Sequence, residues 1–312
     1  MTPTQLRCFA TIVRTGSVRS AAAELGVTEA AVSGNVGTLR KELDDSLFSR
    51  SRHGLVFTPG GLRLAHRAVE MLGLQEQTKR EVHDAHSGRR LLRIAATSMF
   101  AEYAAPGLIE LFSQRADDLE VELLVHPSSR FNELLISHGA DVAIGPKASG
   151  PLPLGLQSAE FLRYDVVAVK SPSLAFEHLG ELTWFLGPSA VETLGVSQFI
   201  LERAAVDPRQ QRIYGNHAAA VTEARNGNGI ALSPRFAVKD AIADGSLVEV
   251  DDRRCRATGT WAASTLQRDR STAVAREIQR FVSTPRAIQA MLNGSGSEVQ
   301  RFQPSVHITL WS

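Results

Sequence analysis

The sequence predicts an α/β protein in two parts: a small, mainly helical N-terminal unit with a basic hairpin, then a larger unit of alternating strands and helices. Three observations carry this expectation. Residues 4–43 hold three short apolar stripes at helical spacing, separated by Gly16 and Gly26. Residues 48–58 reverse at His53-Gly54 between apolar ends, as a hairpin does. From residue 91 onward, apolar runs of strand length alternate with helical ones. A chain of 312 residues, at about 100–200 residues per domain, suits two domains.

The composition, 43% hydrophobic and 21% charged, is that of an ordinary globular protein and excludes a disordered tail or a fibre. With 34 Lys+Arg against 33 Asp+Glu there is no general polycation character, so any affinity for nucleic acid must be local. It is local: residues 1–90 hold 13 basic and 9 acidic side chains, whereas residues 91–312 hold 21 and 24. Cys8 and Cys255 stand far apart and form no disulfide framework, which suits a reducing compartment. Neither a basic-then-apolar leader nor an apolar run of about 20 residues is present, so a cytoplasmic protein with no membrane partner is expected.

Leu6, Phe9, Ala10 and Val13 form the first helical stripe, ended by Gly16; Val18, Ala21, Ala22 and Leu25 form the second, ended by Gly26. Thr28 caps a third helix whose apolar face is Val32, Val36, Leu39 and Leu43. The short break between the second and third helices is that of a helix-turn-helix, whose second member can enter a major groove about 12 Å wide. Phe48 and Val56-Phe57 then flank a wing that carries Arg50 and Arg52; the competing interpretation of those two is a solvated basic turn. Thr58-Pro59 opens a long helix to about His86, and Leu62, Ala65, Val69 and Leu72 follow the 3-4 spacing of a helix-helix seam for dimerisation. Beyond the break at residues 87–90, strands at 91–96, 119–125 and 142–144 alternate with helices, which predicts a parallel sheet. The chain ends in a connector-like stretch around Asn293-Gly294 and an alternating run, Val306 to Trp311, that reads as an edge strand.

Leu6-Arg-x-Phe9, Gly16-Ser17-Val18, Ser20-Ala21-Ala22-x-x-Leu25-x-Val27-Thr28, Ala31-Val32-Ser33, Leu39, Glu42-Leu43, Leu47-Phe48-x-Arg50 and Thr58-Pro59-x-Gly61 together resemble the DNA-binding domain of LysR-type transcriptional regulators. The resemblance spans residues 4–62 without a gap. It implies a winged helix-turn-helix at 1–60, a linker and dimerisation helix at 61–88, and a periplasmic-binding-protein-like effector domain at 91–285. That domain would comprise subdomain I (about 91–162 plus 267–285) and subdomain II (about 163–266), with a C-terminal tail at 286–312. The partners it implies are double-stranded DNA, the chain itself as a homodimer or homotetramer, a small organic effector of anionic character, and RNA polymerase. No cofactor, metal or catalytic residue is expected.

The third helix leaves Thr28, Glu29, Ala30, Ser33, Gly34, Asn35 and Thr38 off its apolar face. Ser, Thr and Asn can bond base edges, Asn can pair with adenine through two hydrogen bonds, and Ala30 can touch a thymine methyl. Family members commonly carry Gln, Pro and a basic or aromatic residue where this chain has Glu29, Ala30 and Gly34. An acid here repels phosphate and glycine offers no side chain, which moves the burden to Ser33, Asn35 and the wing, with Arg40 and Lys41 adding backbone attraction. In the larger unit, Thr97-Ser98 and Ser128-Ser129 follow strands and precede helical segments, where hydroxyls and free amides meet. The resemblance places effector contacts at Ser98 and Ser128, at Gly187-Pro188-Ser189, and at Asn216-His217.

Two other function classes were weighed. An α/β enzyme with an accessory N-terminal domain predicts a catalytic motif, yet the sequence holds no GxSxG, GxxxxGK[ST], HExxH or strand-following GxGxxG. A solute-binding module is disfavoured by residues 4–62 and by the missing leader. His83 and His86 share a helical spacing but lack further ligands, so a solvated helix end is expected rather than metal. Cys255 sits among Arg253, Arg254 and Arg256, where a lowered thiol pKa is conceivable.

Overall fold

A computed structural model describes residues 1–52, 54–148, 150–191 and 195–293, and divides into two compact units. The first comprises Met1–Ser87 with the short segment Ile136–Gly139; the second comprises the rest.

The first unit begins with α1 (Pro3–Thr15), α2 (Val18–Leu25) and α3 (Glu29–Leu43). Each starts where a hydroxyl replaces a missing helical acceptor: Thr2, Ser17 and Thr28 accept from backbone N–H groups of the first turn. Gly16 and Gly26, at φ 70° and 65°, close the first two helices in the left-handed region that glycine enters without steric cost. Phe9, Ile12, Ala21, Val32, Val36 and Leu39 are buried together in one core. The hairpin β1 (Phe48–Ser51) and β2 (Gly54–Phe57) pairs antiparallel and adds Phe48 and Phe57 to that core; its expected turn residue His53 lies outside the described residues. The long helix α4 (Pro59–Ser87) follows, with the Thr58 hydroxyl accepting from the Gly61 N–H at 2.8 Å.

One expected grouping on α4 is corrected. Ala65, placed in the dimer seam with Leu62, Val69 and Leu72, is instead buried in its own unit's core, and Gly61 and Ala68 on the same helix are buried as well. Small residues at 61, 65 and 68 let the helix approach its own domain closely, so they belong to an inward stripe. Leu62, 55% exposed, lies off that stripe, with Val69 and Leu72 half-buried.

In the second unit the described strands form one nine-stranded sheet. Its elements are β3 (Arg90–Ala96), α5 (Ser98–Tyr103), α6 (Ala105–Ser113), β4 (Leu119–Val125), α7 (Phe131–Ile136), β5 (Val142–Pro146) and β6 (Leu156–Lys170). They continue with β7 (Trp184–Leu186), α8 (Val196–Arg203), β8 (Gln211–Ile213), α9 (His217–Arg225), β9 (Ile230–Pro234), α10 (Lys239–Ala243), β10 (Val248–Glu249), β11 (Arg256–Leu266), α11 (Ala273–Phe281) and α12 (Pro285–Asn293). The strand order is β4-β3-β5-β11-β6-β9-β7-β8, with β10 beside β6.

The sheet is mixed rather than parallel. Pairs β3–β4, β3–β5, β7–β8 and β7–β9 are parallel, as strand-helix alternation predicts. The two longest strands, β6 and β11, run antiparallel to each other along most of their length and join two halves: β4, β3 and β5 on one side, β9, β7 and β8 on the other. A bulge at Trp261/Ala262 interrupts their register, and there Trp261 packs against Tyr164, Phe100 and Phe236 at centroid distances of 4.3, 5.0 and 5.9 Å.

The C-terminal side also departs from expectation. Residues 285–293, read as the start of a tail, form α12, whose Ala287 and Met291 are fully buried in the main core. Their i, i+4 spacing is the signal of a packed helix. The edge strand expected at 306–311 lies outside the described residues.

A Cβ on Gly61 would stand 2.2 Å from the Leu47 carbonyl oxygen, inside backbone that cannot swing aside. Gly61→Ala should therefore destabilise the first unit by about 1–3 kcal/mol, read as a lower unfolding midpoint with the second unit's transition unchanged.

Candidate functional site

On α3 the apolar face is spent on the core, and what remains is a polar surface. Thr28, Glu29, Ala30, Ser33, Gly34 and Thr38 are exposed and Asn35 is half-buried. Thr28 is occupied as the N-cap, accepting from the Ala31 N–H at 3.2 Å. Asn35 Nδ2 donates to the Ala31 carbonyl at 2.9 Å, and Thr38 Oγ1 donates to the Gly34 carbonyl at 3.1 Å. Both side chains thus rest on their own helix and would exchange that bond for any external one. Glu29 stands in the first turn, where an acid complements the helix dipole, a structural role beside any contact it makes.

Arg50 and Arg52 are exposed on the hairpin, available to a polyanion. Arg40 is not: its guanidinium lies 4.4 Å from the Phe48 ring centroid and donates to the Phe48 carbonyl at 2.9 Å. The expected role of Arg40 in backbone attraction is corrected; it pins α3 to the hairpin.

In the second unit the predicted effector residues divide. Thr97, Ser98, Gly187 and His217 come together where α5 of one half meets the start of α9 in the other. Ser98 Oγ lies 3.4 Å from His217 Nε2, and the His217 ring packs 5.8 Å from that of Tyr103. A Cβ on Gly187 would sit 2.1 Å from His217 Nδ1, so only glycine lets the chain after β7 pass the imidazole. Asn216 is exposed and already used, its Oδ1 accepting from the Ala219 N–H at 2.8 Å. Thr97 Oγ1 and Ser189 Oγ are buried with no hydrogen-bond partner among the described residues; the residues are 1% and 8% exposed. Pro188 and Ser128 are half-buried, and Ser129 is exposed in the turn before α7.

The residue that sequence reasoning missed is Glu102, on α5. Its carboxylate crosses to the other half and accepts from the first two N–H groups of α9, His217 at 2.8 Å and Ala218 at 2.6 Å. With Asn216 on the third, the N–H groups of the first three residues of α9 all have side-chain acceptors. Burial pushes the Glu102 carboxyl above the ordinary carboxylate value, against the pull of its two backbone donors. A signal was present: residues 94–114 contain no Lys or Arg, so an acid at 102 has no local counter-ion.

Cys255 is the reverse of the reactive thiol conceived from its arginine neighbours. Burial pushes it up to about 11, outweighing the downward pull of Arg254, Arg203 and Arg256. Among the described residues no group of His, Cys, Asp and Glu could hold a metal ion, and His83 and His86 are both exposed on α4. No helix among the described residues is long and apolar enough to cross a membrane.

A winged helix-turn-helix joined to a two-halved α/β domain defines a class of bacterial transcription regulators, and comparison with known proteins gives the family. The model of bacterial regulatory helix-turn-helix proteins of the lysR family matches residues 3–62, and that of the LysR substrate binding domain matches residues 85–284. An uncharacterized HTH-type transcriptional regulator of Mycobacterium tuberculosis is 50% identical over 100% of both chains. Among solved structures, ArgP from Mycobacterium tuberculosis shares the fold at 19% identity and a TM-score of 0.58, covering 94% of this chain and 97% of its own. LysG from Corynebacterium glutamicum, solved with bound effector Arg, does so at 20% identity and a TM-score of 0.55, covering 95% and 98%. The chain belongs to the LysR family of transcriptional regulators, with an effector-binding domain behind its DNA-binding domain. These relatives are regulators and not enzymes.

His217 makes the site sensitive to acid. Burial lowers its pKa from 6.5 to about 4. The unfolded chain takes up this proton first, so the stability His217 contributes is complete above pH 6.5 and is lost as pH falls toward about 4, by up to about 1.4 kcal/mol per unit. The raised Glu102 carboxyl acts in the opposite sense, and His217→Gln separates the two: it should flatten the fall in unfolding midpoint between pH 6.5 and 4.5. In the wild type, NMR should show the imidazole still neutral at pH 5.

Proposed function

We propose that this chain is a sequence-specific regulator that reads its operator with α3 and anchors on the backbone through the wing. The proposed readers are Thr28, Glu29, Ala30, Ser33, Gly34, Asn35 and Thr38, with Arg50 and Arg52 on phosphates or the adjacent minor groove. The observation that carries this reading is the exposed polar surface of α3, left over after Val32, Val36 and Leu39 have filled the core. The proposed layout is a DNA-binding domain at 1–60, a linker helix at 61–88 and an effector domain at 91–285 with two subdomains. Pairing of linker helices through Leu62, Val69 and Leu72 into a dimer, or two dimers into a tetramer, would let two weak modules engage half-sites together. The protein would work in the cytoplasm and act on transcription through RNA polymerase.

The proposed effector is a small molecule with an anionic group, held where Thr97, Ser98, Ser189 and His217 converge; Ser128, Ser129, Gly187, Pro188 and Asn216 complete the proposed set. Two buried hydroxyls at strand ends, without partners among the described residues, support a polar ligand there, and the N-terminus of α9, which already holds the Glu102 carboxylate, is a place that suits an anionic group. LysG, of the same fold, is described with arginine, which carries a carboxylate. Effector occupancy would act only through contacts that differ between two states of the protein.

Footprinting on the DNA flanking the coding region, with and without small organic acids, tests operator and effector at once. Affinity for a protected fragment should fall steeply with salt, since each phosphate contact adds about −0.9 to the slope of log K against log salt. Arg52→Ala should weaken all duplexes alike and reduce that slope by about 1, whereas Asn35→Ala should relax preference at particular base pairs, by about 1–3 kcal/mol. Equal losses across an operator panel for Asn35→Ala would remove it from the readers, and a protein that captures no duplex at low salt would remove the reading.

A further inference from the structure

Glu102 carries a charge that its surroundings do not balance. Its carboxylate is held by two backbone N–H groups, and among the described residues no lysine, arginine or histidine side chain forms an ion pair with it. The start of a helix supplies only about half a unit of positive charge, spread over its first turn. Two further unmet groups lie on the adjoining chain: Thr97 Oγ1, on the residue before the Ser98 that faces His217, and Ser189 Oγ, two residues beyond the Gly187 that passes the His217 ring. Both are more than nine-tenths buried and lack partners among the described residues.

We propose that Glu102 determines the chemical class of the effector: in the unliganded protein its carboxylate occupies the place of a ligand carboxylate at the N-terminus of α9, and the effector is amphoteric. The ligand's carboxylate takes over the His217 and Ala218 N–H groups, and its ammonium pairs with the displaced Glu102. This rests on the reading of the cleft as the effector site.

The charge arithmetic separates the alternatives. A simple acid that claimed the two N–H groups would strand Glu102 beside it, placing two carboxylates together in a half-buried setting where each disfavours the other's ionised form. A simple amine could pair with Glu102 only at the expense of crowding the N-terminus of α9, whose dipole repels cations. A molecule with both signs leaves every charge paired and adds no net charge to the cleft. Thr97 and Ser189 then supply hydroxyls to the ligand's polar end, bonds the unliganded protein does not make. A small α-amino acid, with its two charged groups adjacent, has this chemistry.

The test titrates matched probes into the full-length protein by calorimetry: alanine with propionate and ethylamine, leucine with 4-methylpentanoate and isopentylamine, and phenylalanine with 3-phenylpropionate and phenethylamine. At least one amino acid should bind the wild type about tenfold or more tightly than its matched acid and amine. In Glu102→Ala and Glu102→Gln that preference over the acid should collapse. Formate should raise the unfolding midpoint of Glu102→Ala but not of the wild type, because it refills the vacated place on α9. Should Glu102→Ala not fold, Glu102→Gln retains a carbonyl oxygen for one N–H group and carries the comparison alone. An acid that matches its amino acid on the wild type, a preference that survives in the variants, or three amino acids that all fail to bind would each overturn the proposal. Duplex capture, measured on the same samples by anisotropy, is independent of these results: capture with any of those outcomes leaves a DNA-binding regulator whose effector is of another class, whereas an amino-acid preference without capture would leave the cleft assignment and remove the regulator.

Discussion

A carboxylate that gives up part of its water must recover the lost hydrogen bonds from the protein, or it will not stay ionised. Glu102 recovers two of them from the first turn of α9, on the far half of the sheet, and in doing so satisfies a helix end that would otherwise be left open. Two costs cancel in one contact. The arrangement of the neighbourhood follows from it: His217 is drawn in until its ring meets Tyr103 and Ser98, and the chain after β7 can pass only as Gly187. The buried imidazole has no counter-ion of its own and is held neutral.

The N-terminal unit answers a different constraint, how to expose a recognition surface on a domain with so small a core. The first three helices each start on a capping hydroxyl, and they close on Gly16, Gly26 and Asp44 in the left-handed region, which leaves their apolar faces free to meet in one cluster. Arg40 shows how charge is used in that economy. This cation on α3 is stacked on Phe48 and bonded to its carbonyl, and so keeps the hairpin in place. The exposed Arg50 and Arg52 therefore stand on a hairpin that Arg40 holds against α3.

Much of this was legible in the chain and some was not, for reasons that differ by element. The first three helices announce themselves because local chemistry, Thr28 before α3 and Gly26 after α2, agrees with the apolar spacing. The alternation beyond residue 90 identifies an α/β sheet but not its mixed sense, since the direction of β6 against β11 is a long-range pairing that no local period encodes. On α4, periodicity found an apolar face without saying whether it meets a partner or its own domain; the small size of Ala65 and Ala68, pointing to close packing, was the clue. On α12 the nearby run of Gly and Ser suggested a connector and obscured the spacing of Ala287 and Met291. Ser98 and His217 could be nominated one by one, whereas Glu102 could be found only by asking where an acid without a local cation would go.

The proposed exchange at α9 would also set a bound on how a ligand gains affinity there. Replacing one carboxylate by another on the same two N–H groups is close to neutral, because the bonds made equal the bonds broken. In that exchange net affinity would have to come from groups the unliganded protein leaves unsatisfied, which would be Thr97 Oγ1, Ser189 Oγ and the released Glu102. The first two are buried hydroxyls whose desolvation is already borne by the fold, so a ligand that reaches them gains nearly the full worth of each bond. A built-in occupant thus lowers affinity for every anion by the same amount while leaving the discriminating contacts untouched. A site that worked this way would trade strength for selectivity, as suits a sensor that must answer to changes in concentration and not remain saturated.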